Sequence, residues 1–326
     1  RLDPKLSNKT ASTTSAYVKG VEILSEKSNS DMQLLVTPGI KHRNVTDRAV
    51  TLAEDKFNVL YVADVEPYDV SGSYVTSSLQ PPGIKQLSDK FSQRALASSF
   101  ATFYYPEITI DYGTNVPVED PPIPPIQVPA SVGALAAIAI NDADFGVGSA
   151  PMGGKRAPIA RAISVSQGFT DKERERMMDS AINVFTGGIN AAGTIFPTSQ
   201  KTSLNSDSSL SRVNVRRLVI DIRRRSRDIS RNFLMQPNTA RTRASLKNAL
   251  KSMLAGFVTS GAITEFRVDI ADPNHRPPPV ERGPADLTVN AMNEIKMNLD
   301  KFKPFGNLLN RQGSSLQELS TIRGSI

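Results

Sequence analysis

The sequence has no cysteine and no tryptophan, and its only histidines are His42 and His275. Without cysteine the chain cannot form a disulfide scaffold, a zinc–thiolate site or a thiol nucleophile, and two separate histidines do not make a two-histidine metal motif. Both histidines stand among polar loop residues, in "KHRN" and "NHRP", so we expect them to be solvated. These absences predict a protein without a metal site or a cofactor.

Long apolar runs are also missing. The longest, "VGALAAIAI" at 132–140, is about half of a membrane span, and the first 14 residues contain no apolar core of a secretory signal. We therefore expect no membrane association. The chain begins with Arg rather than Met, which predicts a fragment or a processed product. Its 326 residues leave room for two domains.

Positive charge is in excess, with 39 Lys and Arg against 32 Asp and Glu and a net charge of +7. This balance permits binding to nucleic acid, to an anionic surface or to an acidic protein partner, and it selects none of them. Charge alone therefore does not assign a function.

Apolar runs and amphipathic segments alternate along the first part of the chain. Buried strands are predicted at 32–40, where Pro-Gly ends the run, at 58–65 and at 101–112. Helices are predicted between them, at 44–57 and 84–100, from apolar residues at helical spacing. The alternation of strand and helix predicts a largely parallel sheet of an α/β fold.

The remaining segments of this part are more varied. A short strand is predicted at 17–24, and the proline-rich run 116–129 is expected to be a stiff connector that is neither helix nor central strand. The small apolar residues at 130–140 predict a helix that is buried against the sheet. A further helix is predicted at 170–185, with Thr170 as its cap and acidic residues in its first turn.

A polar loop at 201–211 is where we place a domain boundary. Two amphipathic helices are predicted after it, at 213–233 and 239–263, followed by a half-buried strand at 263–270. The first of these helices keeps its apolar residues on one side, and most of its seven arginines fall on the others. They are Arg216, Arg217, Arg223, Arg224, Arg225, Arg227 and Arg231.

Residues 141–158, "NDADFGVGSAPMGGKRAP", have the composition of a phosphate or cation site, but their spacing does not fit one. A P-loop would need a glycine at Ser149 and a hydroxyl residue at Arg156. In an EF-hand loop that starts at Asp142, Gly146 falls at position five rather than six. The chain also has no Gly-x-Ser-x-Gly elbow. We predict that it is not an enzyme and has no catalytic residue, with a hydrolase that uses Ser149 or Asp142 as an alternative.

The arginine-rich helix has three interpretations. Its basic residues, interspersed with Asp221 and Asp228, form a solvated face, a contact with another protein or a nucleic-acid surface. The last interpretation lacks aromatic partners, because only Phe233 is adjacent and it lies on the apolar side. We predict a protein contact and keep a basic α/β nucleic-acid-binding protein as the alternative. The predicted contact residues are Arg216, Arg217, Arg223, Arg224 and Arg227.

Eight short segments, taken in order, are more informative than any one of them. They are "LLVTPGI" (34–40), "YYPEITID" (104–111), "VPASVGALAAIAINDADFGVGSAP" (128–151), "GGIN" (187–190), "QKT" (200–202), "SRVNVRRL" (211–218), "MQPN" (235–238) and "SGAITEFRVDIAD" (260–272). Over about residues 32–272 the chain thereby resembles the contractile tail sheath proteins of tailed bacteriophages. The segments place seven fold markers, which are Asp142, Gly146, Ala150, Pro151, Asn190, Pro237 and Asn238.

The resemblance implies an α/β fold in which a subtilisin-like α/β sheath domain without a catalytic triad precedes a smaller α+β C-terminal sheath domain. The implied organisation is a polar N-terminal segment at 1–31, the subtilisin-like domain at 32–204, the C-terminal sheath domain at 205–300 and a polar tail at 301–326. One departure from the family pattern is Gly148, which stands where the family commonly has a large aromatic residue. Another is Met235-Gln236, which stands in place of Phe-Glu.

The resemblance also implies a function, that of a structural subunit which polymerises around a tail tube and contracts to drive the tube through the host envelope. The implied partners are other sheath subunits in a helical array, the tail tube protein and the baseplate, without membrane or nucleic acid. The implied location is the virion tail, after assembly in the host cytoplasm. The arginine-rich helix is then expected to contact the tube or a neighbouring subunit. The family's strand-donating terminal arms are not evident, so the isolated fragment is expected to be monomeric.

Overall fold

A computed structural model describes residues 9–26, 32–74, 83–111, 125–187, 194–206, 208–237 and 239–268. The helices in these ranges are α1 (Lys9–Glu26), α2 (Arg43–Lys56), α3 (Ile84–Ser92), α4 (Ala130–Phe145), α5 (Asp171–Asp179), α6 (Val213–Arg231) and α7 (Ala240–Thr259). The strands are β1 (Leu34–Val36), β2 (Leu60–Asp64), β3 (Ala101–Tyr105), β4 (Ile108–Ile110), β5 (Ile126–Val128), β6 (Ala162–Val165), β7 (Ile182–Gly187) and β8 (Ile195–Pro197).

The main sheet has the strand order β1-β2-β3-β7-β8. Its first four strands are parallel, and β8 pairs antiparallel with β7. Every residue of β2 and β3 is buried, which is why these strands read as uninterrupted apolar runs rather than as an alternating pattern. The predicted parallel sheet is confirmed.

A smaller antiparallel sheet has the order β5-β4-β6. Strand β4 follows β3 directly, across a cis peptide bond between Tyr105 and Pro106. Strand β5 comes from the end of the proline-rich run and occupies an edge, where a strand tolerates prolines beside it. The rest of the predicted connector, 116–124, lies outside the described residues.

Helix α4 packs directly on the sheet, as its small residues predict. A Cβ atom on Gly133 would come within 2.3 Å of Ile108 Cδ1, so any other residue here would require the Ile108 side chain to move. The amino end of α4 is held by the carboxylate of Asp64, at the end of β2. Asp64 is 2% exposed and accepts hydrogen bonds from the Ser131 backbone N–H at 2.7 Å, the Ser131 hydroxyl at 2.9 Å and the Gly39 N–H at 2.8 Å. Burial raises the pKa of Asp64 above its usual value.

Four local predictions are wrong. The helix predicted at 84–100 ends at Ser92. The segment 17–24, predicted as a strand, belongs to helix α1, which packs along α2. The helix predicted at 170–185 ends at Asp179, and the residues after it form β7, a strand inside the main sheet. The strand predicted at 263–270 does not form over its described part, 263–268, where Ile263 and Val268 are nevertheless buried.

Two clusters of buried side chains lie in the described part of the chain, and α6 contributes to both. Val213 and Ile220 belong to the large cluster around the main sheet. Leu218 and Ile222 belong to a smaller cluster, which they share with α7 through Leu246, Leu250 and Leu254. Helix α6 therefore ties the helical pair α6–α7 to the sheet. The domain boundary at 204/205 remains a prediction.

Candidate functional site: the arginine-rich helix

Helix α6 buries apolar side chains on two sides, so its arginines occupy the remaining faces in two groups. Successive residues of an α-helix are about 100° apart, so Arg223 and Arg227 lie within about 20° of Arg216. We call these three residues the Arg216 stripe. The other four arginines lie between about 60° and 180° from Arg216: Arg231 is nearest to the stripe, followed by Arg224, Arg217 and Arg225. The helix's own acidic residues, Asp221 and Asp228, lie about 120–140° from Arg216 and therefore on the side of the second group.

Three members of the second group, Arg217, Arg225 and Arg231, pair with carboxylates. Arg217 forms a two-pronged ion pair with Asp142, with Nη1 to Oδ1 at 2.7 Å. Its side chain is 4% exposed, against 26% for that of Asp142. Arg225 pairs with Asp221 at 3.0 Å and stacks on the Phe257 ring of α7. Arg231 pairs with Asp228 at 3.5 Å on the exposed surface.

The Arg217–Asp142 pair is part of a close joint between α6 and residues 141–158. The Asn214 side chain donates a hydrogen bond to the Gly148 carbonyl at 3.1 Å. A Cβ atom on Gly148 would come within 2.8 Å of Ala262 Cβ, beyond the end of α7. An aromatic residue, which the family commonly has here, would therefore need a different arrangement of this joint.

The segment 141–158 itself is a packed turn. Gly146 ends α4 with a φ of 81°, a conformation that favours glycine. The Ser149 hydroxyl donates to the Asn141 side chain at 3.0 Å, and Ser149 is 5% exposed. Its hydroxyl therefore has an amide neighbour rather than a base, which gives no support to the hydrolase alternative. Ala150 and Pro151 are buried.

Arg216 differs from Arg217 although the two are adjacent. Arg216 is 7% exposed, its Nη2 donates to the Ser99 hydroxyl, and its guanidinium carbon lies 4.0 Å from the centre of the Phe100 ring. Its Nε has no hydrogen-bond acceptor among the described residues. Burial, together with the positive charge of Arg223, lowers the pKa of Arg216 to about 10.

The rest of the stripe continues this pattern. Arg223, half-buried, places its guanidinium carbon 4.9 Å from the centre of the Phe57 ring, and Phe57 meets Phe100 edge to face at 5.3 Å. Burial and the charge of Arg227 lower the pKa of Arg223. Within the described ranges, no carboxylate oxygen lies within 4.0 Å of a nitrogen of the Arg216 stripe.

Sequence reasoning missed the partners that decide these roles. Ser99, Phe100 and Phe57 lie more than 110 residues before α6, and only the tertiary fold brings them together. Arg216 and Arg217, two of the predicted contact residues, prove to be buried against the chain itself. Arg223, Arg224 and Arg227 are half-exposed.

The other predicted positions fall as follows. Pro237 is exposed after α6, and Asn190, Asn238 and His275 lie outside the described residues. His42, expected to be solvated, is half-buried at the start of α2, and its Nδ1 has no partner in the described chain. The described side chains contain no group of three or more His, Asp or Glu placed to hold a metal ion. No described helix has both the length and the apolar character that a bilayer span requires.

Comparison with known proteins gives a consistent result. Residues 205–300, which include α6 and α7, match the phage tail sheath C-terminal domain family. The tail sheath protein of Enterobacteria phage T4 is 29% identical over 132 residues, which is 40% of this chain and 20% of that protein. The match thus spans about a fifth of this curated relative.

Solved structures share the fold. A PVC sheath complex of an extracellular contractile injection system, in the contracted state, matches with a TM-score of 0.63 and 18% identity, over 91% of this chain and 75% of that one. The baseplate of the anti-feeding prophage contains a chain with a TM-score of 0.62 and 14% identity, over 92% of this chain and 73% of that one. The resemblance to contractile tail sheath proteins is confirmed, and no comparison supports the nucleic-acid-binding alternative.

Proposed function

We propose that this chain, which carries a phage tail sheath C-terminal domain on a sheath-like fold, is a structural subunit of a contractile tail sheath. In this function it polymerises around a tail tube and contracts to drive the tube through the host envelope. The observation that carries the proposal is the agreement of the family match at 205–300 with a fold shared over nine-tenths of the chain. The proposed location is the virion tail, after assembly in the host cytoplasm.

The finer architecture is part of the proposal. We propose a non-catalytic subtilisin-like domain at 32–204 and a smaller C-terminal sheath domain at 205–300. The four parallel strands of the main sheet, with α4 packed on them, support the first assignment. The separate apolar cluster between α6 and α7 supports the second. The tight joint at Arg217 and Gly148 would let the two parts move as one rigid body, the way in which packed subunits switch between two interfaces.

The proposed partners are other copies of the chain, a tail tube protein and a baseplate. Half-exposed arginines of α6 are the proposed contact residues: Arg223, Arg224 and Arg227. Arg216 and Arg217 act from within the chain, Arg216 by stacking on Phe100 and Arg217 by fixing α6 to Asp142. An electrostatic role fits this helix because paired charges orient partners and exclude wrong ones.

Electron microscopy of the purified chain, alone and with the tube protein and baseplate of its source, tests the proposal. We expect hollow sheath-like tubes in the mixture, and separate particles of the chain alone. Failure to form tubes with these partners, together with salt-sensitive retention of nucleic acid on a filter, would reject the proposal in favour of the basic nucleic-acid-binding alternative.

A further inference from the structure

The Arg216 stripe lacks a counter-charge in the described chain, and we infer that a neighbouring copy of this chain supplies it. Specifically, we propose that α5 of that copy docks on Arg223 and Arg227 and places its carboxylates there. This inference rests on the proposed function, because it takes the neighbour to be a second sheath subunit.

The first observation is the uneven distribution of carboxylates around α6. Arg217, Arg225 and Arg231 each have a carboxylate within 3.5 Å. Among the described residues, the observed partners of the Arg216 stripe are the Phe57 and Phe100 rings and one serine hydroxyl. A buried guanidinium without an anion is unfavourable, and aromatic rings offset only part of that cost.

The second observation is that part of the stripe is accessible to another molecule. Arg216 is the buried end of the stripe, whereas Arg223 and Arg227 are half-exposed. These two residues are one helical turn apart, about 6 Å. A pair of carboxylates with the same spacing on another helix would therefore meet both guanidinium groups at once.

Helix α5 presents such a pair. Glu175 and Asp179 are exposed, one turn apart, and on the side of the helix opposite the buried Met177. Neither side chain forms an ion pair within the described ranges, whereas Asp171 pairs with Arg174 and Glu173 closes the capping box with Thr170. Lys172 and Arg176 are also exposed beside them, and with four acidic and three basic residues α5 as a whole carries a net charge of −1. Charge complementarity thus favours a second copy as the occupant.

Cysteine cross-linking tests this contact directly, since the chain has no cysteine of its own. Chains with Arg227→Cys and chains with Glu175→Cys are mixed under assembly conditions. They are then treated with a bismaleimide about 8 Å long, because a direct disulfide would need Cβ atoms only about 4 Å apart. Mass spectrometry counts the 227–175 linked peptides. The matched control replaces Arg227→Cys by Arg225→Cys, which is exposed and lies about 160° from Arg227 around α6.

We expect roughly tenfold more linkage at 227–175 than at 225–175. We expect a similar loss when the Arg227→Cys chain also carries Arg223→Glu, because this sets a carboxylate against Asp179 of the neighbouring chain. Micrographs of the same samples separate the two proposals. Tubes without 227–175 linkage overturn this inference and leave the proposed function standing. Linkage without tubes supports the docking contact and counts against the sheath assignment. If neither linkage nor tubes are seen, the docking contact and the sheath assignment are both overturned.

Discussion

Arginines on two sides of helix α6 lie in opposite electrostatic environments. On one side of α6, Arg217 is buried with a two-pronged carboxylate partner and fixes the helix to the turn after α4. On the other, Arg216 is equally buried but meets a ring and a hydroxyl. The difference teaches that burial alone does not define a structural arginine. Arg217 has a carboxylate partner, and Arg216 belongs to a stripe that has none among the described residues.

Breaking the ion pair between Arg217 and Asp142 should give the largest loss of stability. Asp142→Asn leaves the Arg217 guanidinium buried without its anion, and we expect a loss of about 3 kcal/mol in the free energy of unfolding. Urea denaturation of the purified chain measures it. Asp228→Asn, which breaks the exposed pair with Arg231, is the control and should change stability by less than about 1 kcal/mol. Equal effects would mean that the Arg217 pair is not buried in solution.

The joint beside this pair can be tested through its packing. Gly148→Ala places a methyl group against Ala262, and we expect destabilisation of about 1–3 kcal/mol from overpacking. The reciprocal change Ala262→Gly in the same chain should restore part of the loss, because the interaction is local. Thermal unfolding of the two variants and the double variant decides this, and purely additive effects would argue against direct contact.

Asp64 extends the comparison of buried charged groups to a carboxylate whose partners are hydrogen-bond donors rather than a cation. Its raised pKa means that the folded state keeps the proton at pH values where the unfolded chain has lost it. This contribution is present below the unfolded pKa and is lost as pH rises through the folded pKa. The stability of the wild type relative to Asp64→Asn should therefore fall as pH rises from about 4 to 7, by about 1.4 kcal/mol per unit of pKa difference. Urea titrations at several pH values measure the slope, and a flat difference would contradict the expectation.

Replacing Arg216, on the side without a carboxylate partner, should change stability least. Arg216→Met keeps the volume against Phe100 and removes an uncompensated charge, so the stability of the isolated chain should stay within about 1 kcal/mol of the wild type. Arg217→Met, its neighbour, is the matched control and should be clearly destabilising, since it strands Asp142. If Arg216→Met is as harmful as Arg217→Met, then the chain itself supplies a counter-charge to the stripe.

Local patterns predicted much of the fold. Apolar runs that end in turn residues located β1, β2 and β3, and helical spacing located α2, α6 and α7 close to their observed bounds. Thr170 forms the predicted cap, with Glu173 completing the box. The failures have physical causes: α1 carries the β-branched and apolar residues of a strand but gains its stability from packing on α2. Strand β7 follows α5 after only two residues, so its apolar run reads as a continuation of the helix.

The candidate site was predicted only in outline. The sequence located the arginine-rich helix and the turn at 141–158, and the spacing in that turn argued against phosphate and metal sites. It could not show that Asp142 lies against Arg217, because those residues are 75 positions apart and no local pattern links them. It could not show that Phe57 and Phe100 lie under the stripe for the same reason.

The sequence by itself determined most of the helices and the first three strands of the main sheet, the positive charge of α6 and the motif series that resembles a sheath protein. These properties depend on spacing along the chain, which a sequence displays directly. Tertiary structure decided which arginines are neutralised and which are not. That assignment depends on which distant carboxylates and rings the folded backbone carries to each face of one helix.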